Sequence, residues 1–412
     1  LEFRSHTLEN GLEVVAECNA DAYSVAVGFF VNTGARDETD ELAGVSHFLE
    51  HMVFKGTPRR TADDVNREFD EMGAQYNAYT SEENTVFYAA VLPEHQTDAV
   101  GLLADILRPS LREDDFNTEK QVILEEIQMY DDQPPFGADE KCRAAYFERH
   151  TLGRSVLGTV QSVAQLTPDA MQGYFQRRYG PGNVKLVGAG RIDFDALVAT
   201  AQRCCGSWAP ISNKRNVLPV VGADGFRIIC KESATQQYVV QLAAGPKSVD
   251  SDRYPAKLLA AILGDDSGSR LYWSLVDPGL AESASVGHCE YEGAGVFLSF
   301  FICDPDRAAD NLQVVFDEFR RAEKEGITSE ELERAKNKVA SHVVLASERP
   351  YRRLFNVGID WLQRREYRTI RDDLNAVAAI TVDDISDVLA KYPLSKAMTL
   401  TIGPLADVRQ PR

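Results

Sequence analysis

His47-Phe48-Leu49-Glu50-His51 sets two imidazoles and a carboxylate at spacings of three and four residues. On a helix such residues are neighbours, so His47, Glu50 and His51 project to one side. Two imidazoles one turn apart can hold one Zn²⁺, and the carboxylate beside them can take a proton from a water whose pKa the metal lowers to about 7. H-x-x-E-H is the inverted form of the H-E-x-x-H zinc signature. A chance pair of surface histidines is the competing explanation, in a chain with 7 His among 412 residues. A zinc site needs a third protein ligand.

The segment 114–130 (DDFNTEKQVILEEIQMY) opens on acidic residues and carries an apolar stripe, which predicts a helix. Glu119, Val122, Glu126 and Met129 are expected on one buried face, widened by Ile123, Ile127 and Tyr130. Glu125 falls on the flank with Gln121 and Gln128 and is expected in solvent. A buried carboxylate is costly unless it is paired or binds a metal, so Glu126 is the candidate third ligand. Glu119, two turns earlier, is the candidate to orient a histidine. Pairing of both carboxylates with Arg or Lys in the core is the alternative that the helix alone leaves open.

These residues need a scaffold of mixed elements. Segments 12–16, 25–31 and 86–92 are short, β-branched or aromatic, and read as strands. Segments 62–72, 97–107 and 308–325 have helical spacing. Interspersed strand groups and helices argue an α+β fold, with sheets covered by helices on one side. Segments 74–79 and 84–92 read as a hairpin joined by Thr80-Ser81-Glu82-Glu83. If its first strand lies at a sheet edge, an extended peptide can pair with it as an added strand.

The chain also reads as a duplication. GLEVV at 11–15 lies over GFRII at 225–229, and VAQLTPD at 163–169 over VAAITVD at 377–383. Both pairs share one offset of 214 residues (225 less 11, 377 less 163). The expected division is a first domain over 1–208, a Pro-containing linker over 209–224 and a homologous domain over 225–412. The same offset carries His47, Glu50 and His51 onto Ala261, Gly264 and Asp265. The second copy therefore lacks both histidines and the base.

Composition bounds the reading. With 44% apolar residues the chain can bury a substantial core. No apolar run approaches the roughly 18 residues of a membrane span. No charged-then-apolar leader is visible. The 7 Cys have neither framework nor zinc spacing, and Cys204 and Cys205 are adjacent; reduced thiols in the cytoplasm or another reducing compartment are expected. A net charge of −19 disfavours nucleic acid.

HFLEHMVFKGT at 47–57, NAYTSEENTVFYA at 77–89 and VILEEI at 122–127 resemble the zinc peptidases typified by pitrilysin, insulysin and mitochondrial processing peptidase. TLGRSVLGTVQSVAQLT at 151–167 and YFQRRYGPGNVKLVGAG at 174–190 extend the likeness in order. The resemblance implies two homologous domains, each a mostly antiparallel sheet under helices. It implies Zn²⁺ held by His47, His51 and Glu126, Glu50 as general base, and Glu119 as the additional helix glutamate. It also implies that the hairpin strand lines the cleft, which makes Asn77 a candidate substrate contact. The implied activity is cleavage of extended or unfolded peptides; a non-catalytic assembly subunit of the same fold is the alternative. One stretch departs from the pattern. Where relatives carry arginine and tyrosine in L-R-x-x-x-G-L-A-Y, this chain has Val276 and Glu282. A dimer is expected, with a homologous partner chain supplying the missing pair.

Overall fold

The computed structural model describes residues 1–212 and 214–412; Asn213, inside the expected linker, lies outside the described residues. The first sheet is built from β1 (Glu2–Thr7), β2 (Glu13–Cys18), β3 (Val25–Val31), β4 (Gln75–Thr80), β5 (Thr85–Val91) and β6 (Val184–Gly190). Its order is β1-β2-β6-β3-β5-β4, with β2 and β6 parallel and every other pair antiparallel. Strand β4, next to the predicted turn, forms one edge.

The helices of the first half are α1 (Val45–Val53), α2 (Ala62–Glu71), α3 (Gln96–Ile106) and α4 (Glu113–Asp132). They continue as α5 (Ala138–Phe147), α6 (Val160–Gln165), α7 (Pro168–Arg178) and α8 (Phe194–Cys205). The second sheet contains β7 (Gly225–Cys230), β8 (Gln237–Ala244), β9 (Ser283–Tyr291), β10 (Ala294–Cys303) and β11 (Ala397–Gly403). The helices of the second half are α9 (Arg253–Gly264), α10 (Ala308–Glu325), α11 (Ser329–Ser347), α12 (Pro350–Arg364), α13 (Ile370–Ala379) and α14 (Val382–Lys391). The order β7-β11-β8-β10-β9 repeats β2-β6-β3-β5-β4 strand for strand, including the single parallel pair. Thr167 and Thr381, which share the 214 offset, each N-cap a helix, accepting from the N–H of Ala170 and of Asp384 respectively.

Each sheet is covered on both faces rather than one. In β3 every residue of VAVGFFV is buried, the continuous apolar run that a doubly covered strand requires. Helices α3 and α8 pack on one side, and α12 lies against β6 and β3. Leu354 and Val357 of α12 meet Val15, Ala26, Phe30, Val86 and Val187, each such buried side chain contributing about 1.5–3 kcal/mol. Gly358 permits the close approach, since a Cβ there would stand 2.4 Å from the Phe30 ring. Arg353 pairs with buried Glu17, which also accepts from Tyr367 Oη at 2.8 Å.

Contacts divide the chain into two units that do not follow the sequence halves. One comprises Leu1–Ile127, Arg154–Asn216 and Leu345–Arg368; the other comprises Gln128–Gly153, Val217–Val344 and Thr369–Arg412. Helix α12, from the second half of the sequence, thus belongs with the first sheet. Helix α5, from the first half, packs on β8 and β11 of the second, where Ala138, Cys142 and Tyr146 meet Val240, Leu242 and Leu400. The opposite face of that sheet packs Val239, Phe297 and Phe301 against α9, α10 and α14. The contiguous division expected from sequence differs at these two exchanged segments. Within 209–224 the Arg215 side chain is buried, with Asp37 accepting from it at 2.7 and 3.0 Å.

Candidate metal centre

Helix α1 is held at its start by groups outside itself. Gly44 takes φ 90° at the N-cap, where a Cβ would stand 2.5 Å from the Leu157 carbonyl oxygen. The Glu38 carboxylate accepts from the backbone N–H of Gly44 and of Ser46, both at 2.7 Å. This satisfies donors that a helix N-terminus leaves without intrahelical partners. Ser46 Oγ in turn meets Tyr174 Oη at 2.7 Å, and Tyr174 Oη meets Thr33 Oγ1 at 2.8 Å. Burial pushes the Glu38 carboxyl up to about 8, against the pull of those two N–H groups.

One turn on, His47 and His51 project together, their ring centroids 4.7 Å apart. Helix α4 brings Glu126 to them. Its Oε2 lies 3.8 Å from His47 Nε2 and 3.9 Å from His51 Nε2, and ligand atoms of the three residues all lie within 4.8 Å of one another. A tetrahedral zinc with bonds of 2.0–2.1 Å sets its donors about 3.3 Å apart, so Glu126 stands about half an ångström beyond that distance from each imidazole. Burial, and secondarily the neighbouring His51, lowers His47 to about 3, which leaves the imidazole neutral as a ligand must be. Burial also raises Glu126, with His51 pulling the other way. Among the described residues, these three make the cluster suited to a metal.

The surroundings treat the two histidines differently. His51 Nδ1 lies 3.2 Å from Glu119 Oε2, and Glu119 Oε1 is held by Lys55 Nζ at 2.6 Å. An Nδ1–H donated to that carboxylate leaves the Nε2 lone pair facing Glu126. His47 Nδ1 is buried with no hydrogen-bond partner, so no protein acceptor fixes its tautomer. Glu50 accepts a hydrogen bond from Thr80 Oγ1 at 2.6 Å. Burial raises the Glu50 carboxyl, while Thr80 and His51 oppose the rise.

All five predicted site residues of α1 and α4 therefore meet, but not by the face expected for α4. Its buried side is Phe116, Glu119, Ile123 and Ile127; Val122 and Met129 are 43% and 40% exposed. The buried stripe is turned by one position from the expected one, and Glu126 lies at the margin of the buried side rather than at its centre. Asn77 is exposed on edge strand β4, where its Oδ1 accepts from the N–H of Ala78 at 2.8 Å. Sequence reading missed Thr80, Lys55 and Glu38. Lys55 carried a signal, standing four residues after His51 in the turn that follows α1. In the second unit, Val276 ends a π-helical turn (Tyr272–Val276), and Glu282 accepts from Gln236 at 2.5 Å.

Residues 13–160 match the family model described as insulinase, peptidase family M16, and residues 165–339 match that of the peptidase M16 inactive domain. An uncharacterized zinc protease of Mycobacterium tuberculosis is 33% identical over 409 residues, 97% of this chain and 93% of its own. One from Bacillus subtilis is 30% identical over 385 residues, covering 93% and 94%. A solved protease from Helicobacter pylori superposes with a TM-score of 0.91 at 21% identity, over 97% of this chain and 99% of its own. A chain of Complex III2 from Candida albicans superposes at 0.86 with 18% identity, over 98% and 96%. Likeness at that identity speaks for the fold alone.

Proposed function

This chain belongs to the insulinase (M16) peptidase family, and from that premise we propose that it is a zinc-dependent endopeptidase acting on extended or unfolded peptides. Its cofactor is Zn²⁺. The observation that carries the reading is the approach of Glu126 to both imidazoles, with Glu50 on the same helix. His47, His51 and Glu126 hold the metal. A zinc ion bound there would supply Lewis acidity and a lowered pKa for bound water. Glu50 accepts the water's proton and returns it to the departing amine. Glu119 orients His51 through Nδ1. An extended substrate pairs with edge strand β4, where Asn77 contacts it.

Val276 and Glu282 stand where relatives bear a substrate-holding arginine and tyrosine, which supports a dimer whose homologous partner supplies them. Loss of a donor that polarises the carbonyl costs about 10²–10³ in rate, so the chain alone is expected to be slow. The assembly-subunit alternative predicts no turnover at all, and the retained donor set argues against it.

The test is zinc content together with turnover of a quenched peptide library. One zinc per chain, cleavage stopped by a chelator, and a Glu50→Gln variant that keeps its zinc but loses about 10²–10⁴ in kcat support the proposal. Wild-type turnover by Glu50→Gln removes Glu50 as the base. No zinc uptake after supplementation sinks the ligand assignment.

A further inference from the structure

A general base works only if its carboxylate stays in line with the proton it takes, and a glutamate has three side-chain torsions to restrain. At Glu50 the restraint comes from another element. Thr80, the last residue of β4, donates from Oγ1 to Glu50 Oε2 at 2.6 Å. That bond occupies one carboxylate oxygen and leaves Oε1 for the chemistry. We propose that Thr80 is the positioning residue of the general base, a role that rests on the zinc-peptidase reading above.

The hydroxyl is itself held in place. Thr80 is β-branched, so its χ1 is stiff, and its Oγ1 lies 3.5 Å from Thr85 Oγ1 on the facing strand. Thr85 Oγ1 is anchored by donating to the Thr33 carbonyl at 3.0 Å. Between Thr80 and Thr85 the turn is closed by Ser81 N–H donating to Asn84 O at 2.8 Å, and by Asn84 N–H donating to Ser81 Oγ at 3.0 Å. The next fastening is ionic. The Glu83 side chain is buried against Arg36, and Arg215 donates to the Glu83 carbonyl at 2.6 Å while also holding Asp37. Glu83 and Asn84 of this turn are themselves buried, so the two guanidiniums both pair a buried carboxylate and pin the turn. Fixing the strand end that touches Glu50 calls for such fastening, because a displacement of about 1 Å at a reacting group costs on the order of 10²-fold.

The test compares Thr80→Val, which keeps the branched shape and removes the donor, with Thr80→Ser, which keeps the donor. In the zinc-loaded protein, Thr80→Val is expected to keep one zinc per chain and KM within about twofold, to lose about 10–100-fold in kcat, and to show Glu50 displaced or disordered in a crystal structure. Thr80→Ser is expected to restore both the Glu50 position and most of kcat. Glu50 unmoved in Thr80→Val overturns the proposal. So does a loss confined to KM, or an equal loss in Thr80→Ser, since either assigns Thr80 to strand packing. The parent reading fails separately, through wild-type turnover by Glu50→Gln.

Discussion

Helices α1 and α9 occupy the same place in two copies of one strand order, following β3 and β8, and they have opposite interiors. In α1 the inner residues include Ser46 and His47, the helix start is capped by a carboxylate from residue 38, and a second carboxylate receives His51. In α9 the buried residues are Pro255, Ala256, Leu258, Leu259, Ala260, Ile262, Leu263 and Gly264, with one polar group, Arg253 at the first position, which donates to the Ser248 carbonyl at 3.1 Å. No register between 208 and 214 brings a His or Glu of the first motif onto a His or Glu of the second. The architecture therefore does not depend on the site. Polar groups buried in α1 cost free energy unless they find partners; Glu38 and Tyr174 serve Ser46 and Glu119 serves His51, while His47 Nδ1 has none. The second copy puts Ala261 and Gly264 at the positions of His47 and Glu50, in a helix whose buried residues are mostly Leu, Ile and Ala.

Four substitutions sharpen this contrast beyond those at Glu50 and Thr80. The largest effect is expected at Glu119. Glu119→Gln should weaken zinc binding by about 10–100-fold, the usual cost of losing the group that orients a ligating histidine, as titration against a competing chelator would read. Unchanged affinity would mean that His51 is oriented by the metal alone. Next comes the cap. Glu38→Ala strands the Gly44 and Ser46 N–H groups in a buried setting and should cost about 1–3 kcal/mol in denaturant unfolding. At the α9 start Asp252 makes no side-chain cap bond and pairs with part-exposed Lys391; Asp252→Ala should cost well under 1 kcal/mol. Equal losses would break the comparison.

The smallest effect is one of pH and lies in the second unit. Burial alone would raise the Glu331 carboxyl, but Arg270 and the Thr328 N–H hold it at about 2, below its ordinary 4.5. A carboxyl depressed in the folded state contributes stability that is complete above about 4.5 and is lost as pH falls through 2. The stability gap between wild type and Glu331→Gln should accordingly narrow over that window, as unfolding midpoints at stepped pH would show. A constant gap would detach the ion pair from acid sensitivity.

How much could be read beforehand follows the range of each interaction. The histidine motif is local, three and four residues within one helix, and was legible outright. The duplication was legible because two distant windows kept one offset, down to the capping Thr167 and Thr381. The face of α4 was misdrawn because apolar Val122 and Met129 are exposed, and a periodicity argument assigns apolar residues to the interior. Thr80 was invisible as a partner of Glu50: they stand 30 residues apart on different elements, and nothing in either neighbourhood names the other. The exchanged helices were beyond reach for a related reason. Leu354, Val357 and Gly358 announce that α12 has an apolar face, but an apolar face does not say which sheet it will cover.

That exchange bears on how such a chain can be inherited. A gene cut between the two sequence halves would encode neither unit: the first fragment would lack the helix over Phe30 and Val187, the second the helix over Val240 and Leu400. With α5 and α12 each covering the sheet of the other half, each half of the sequence depends on the other for its core, and the smallest piece that carries both cores intact is the whole pair.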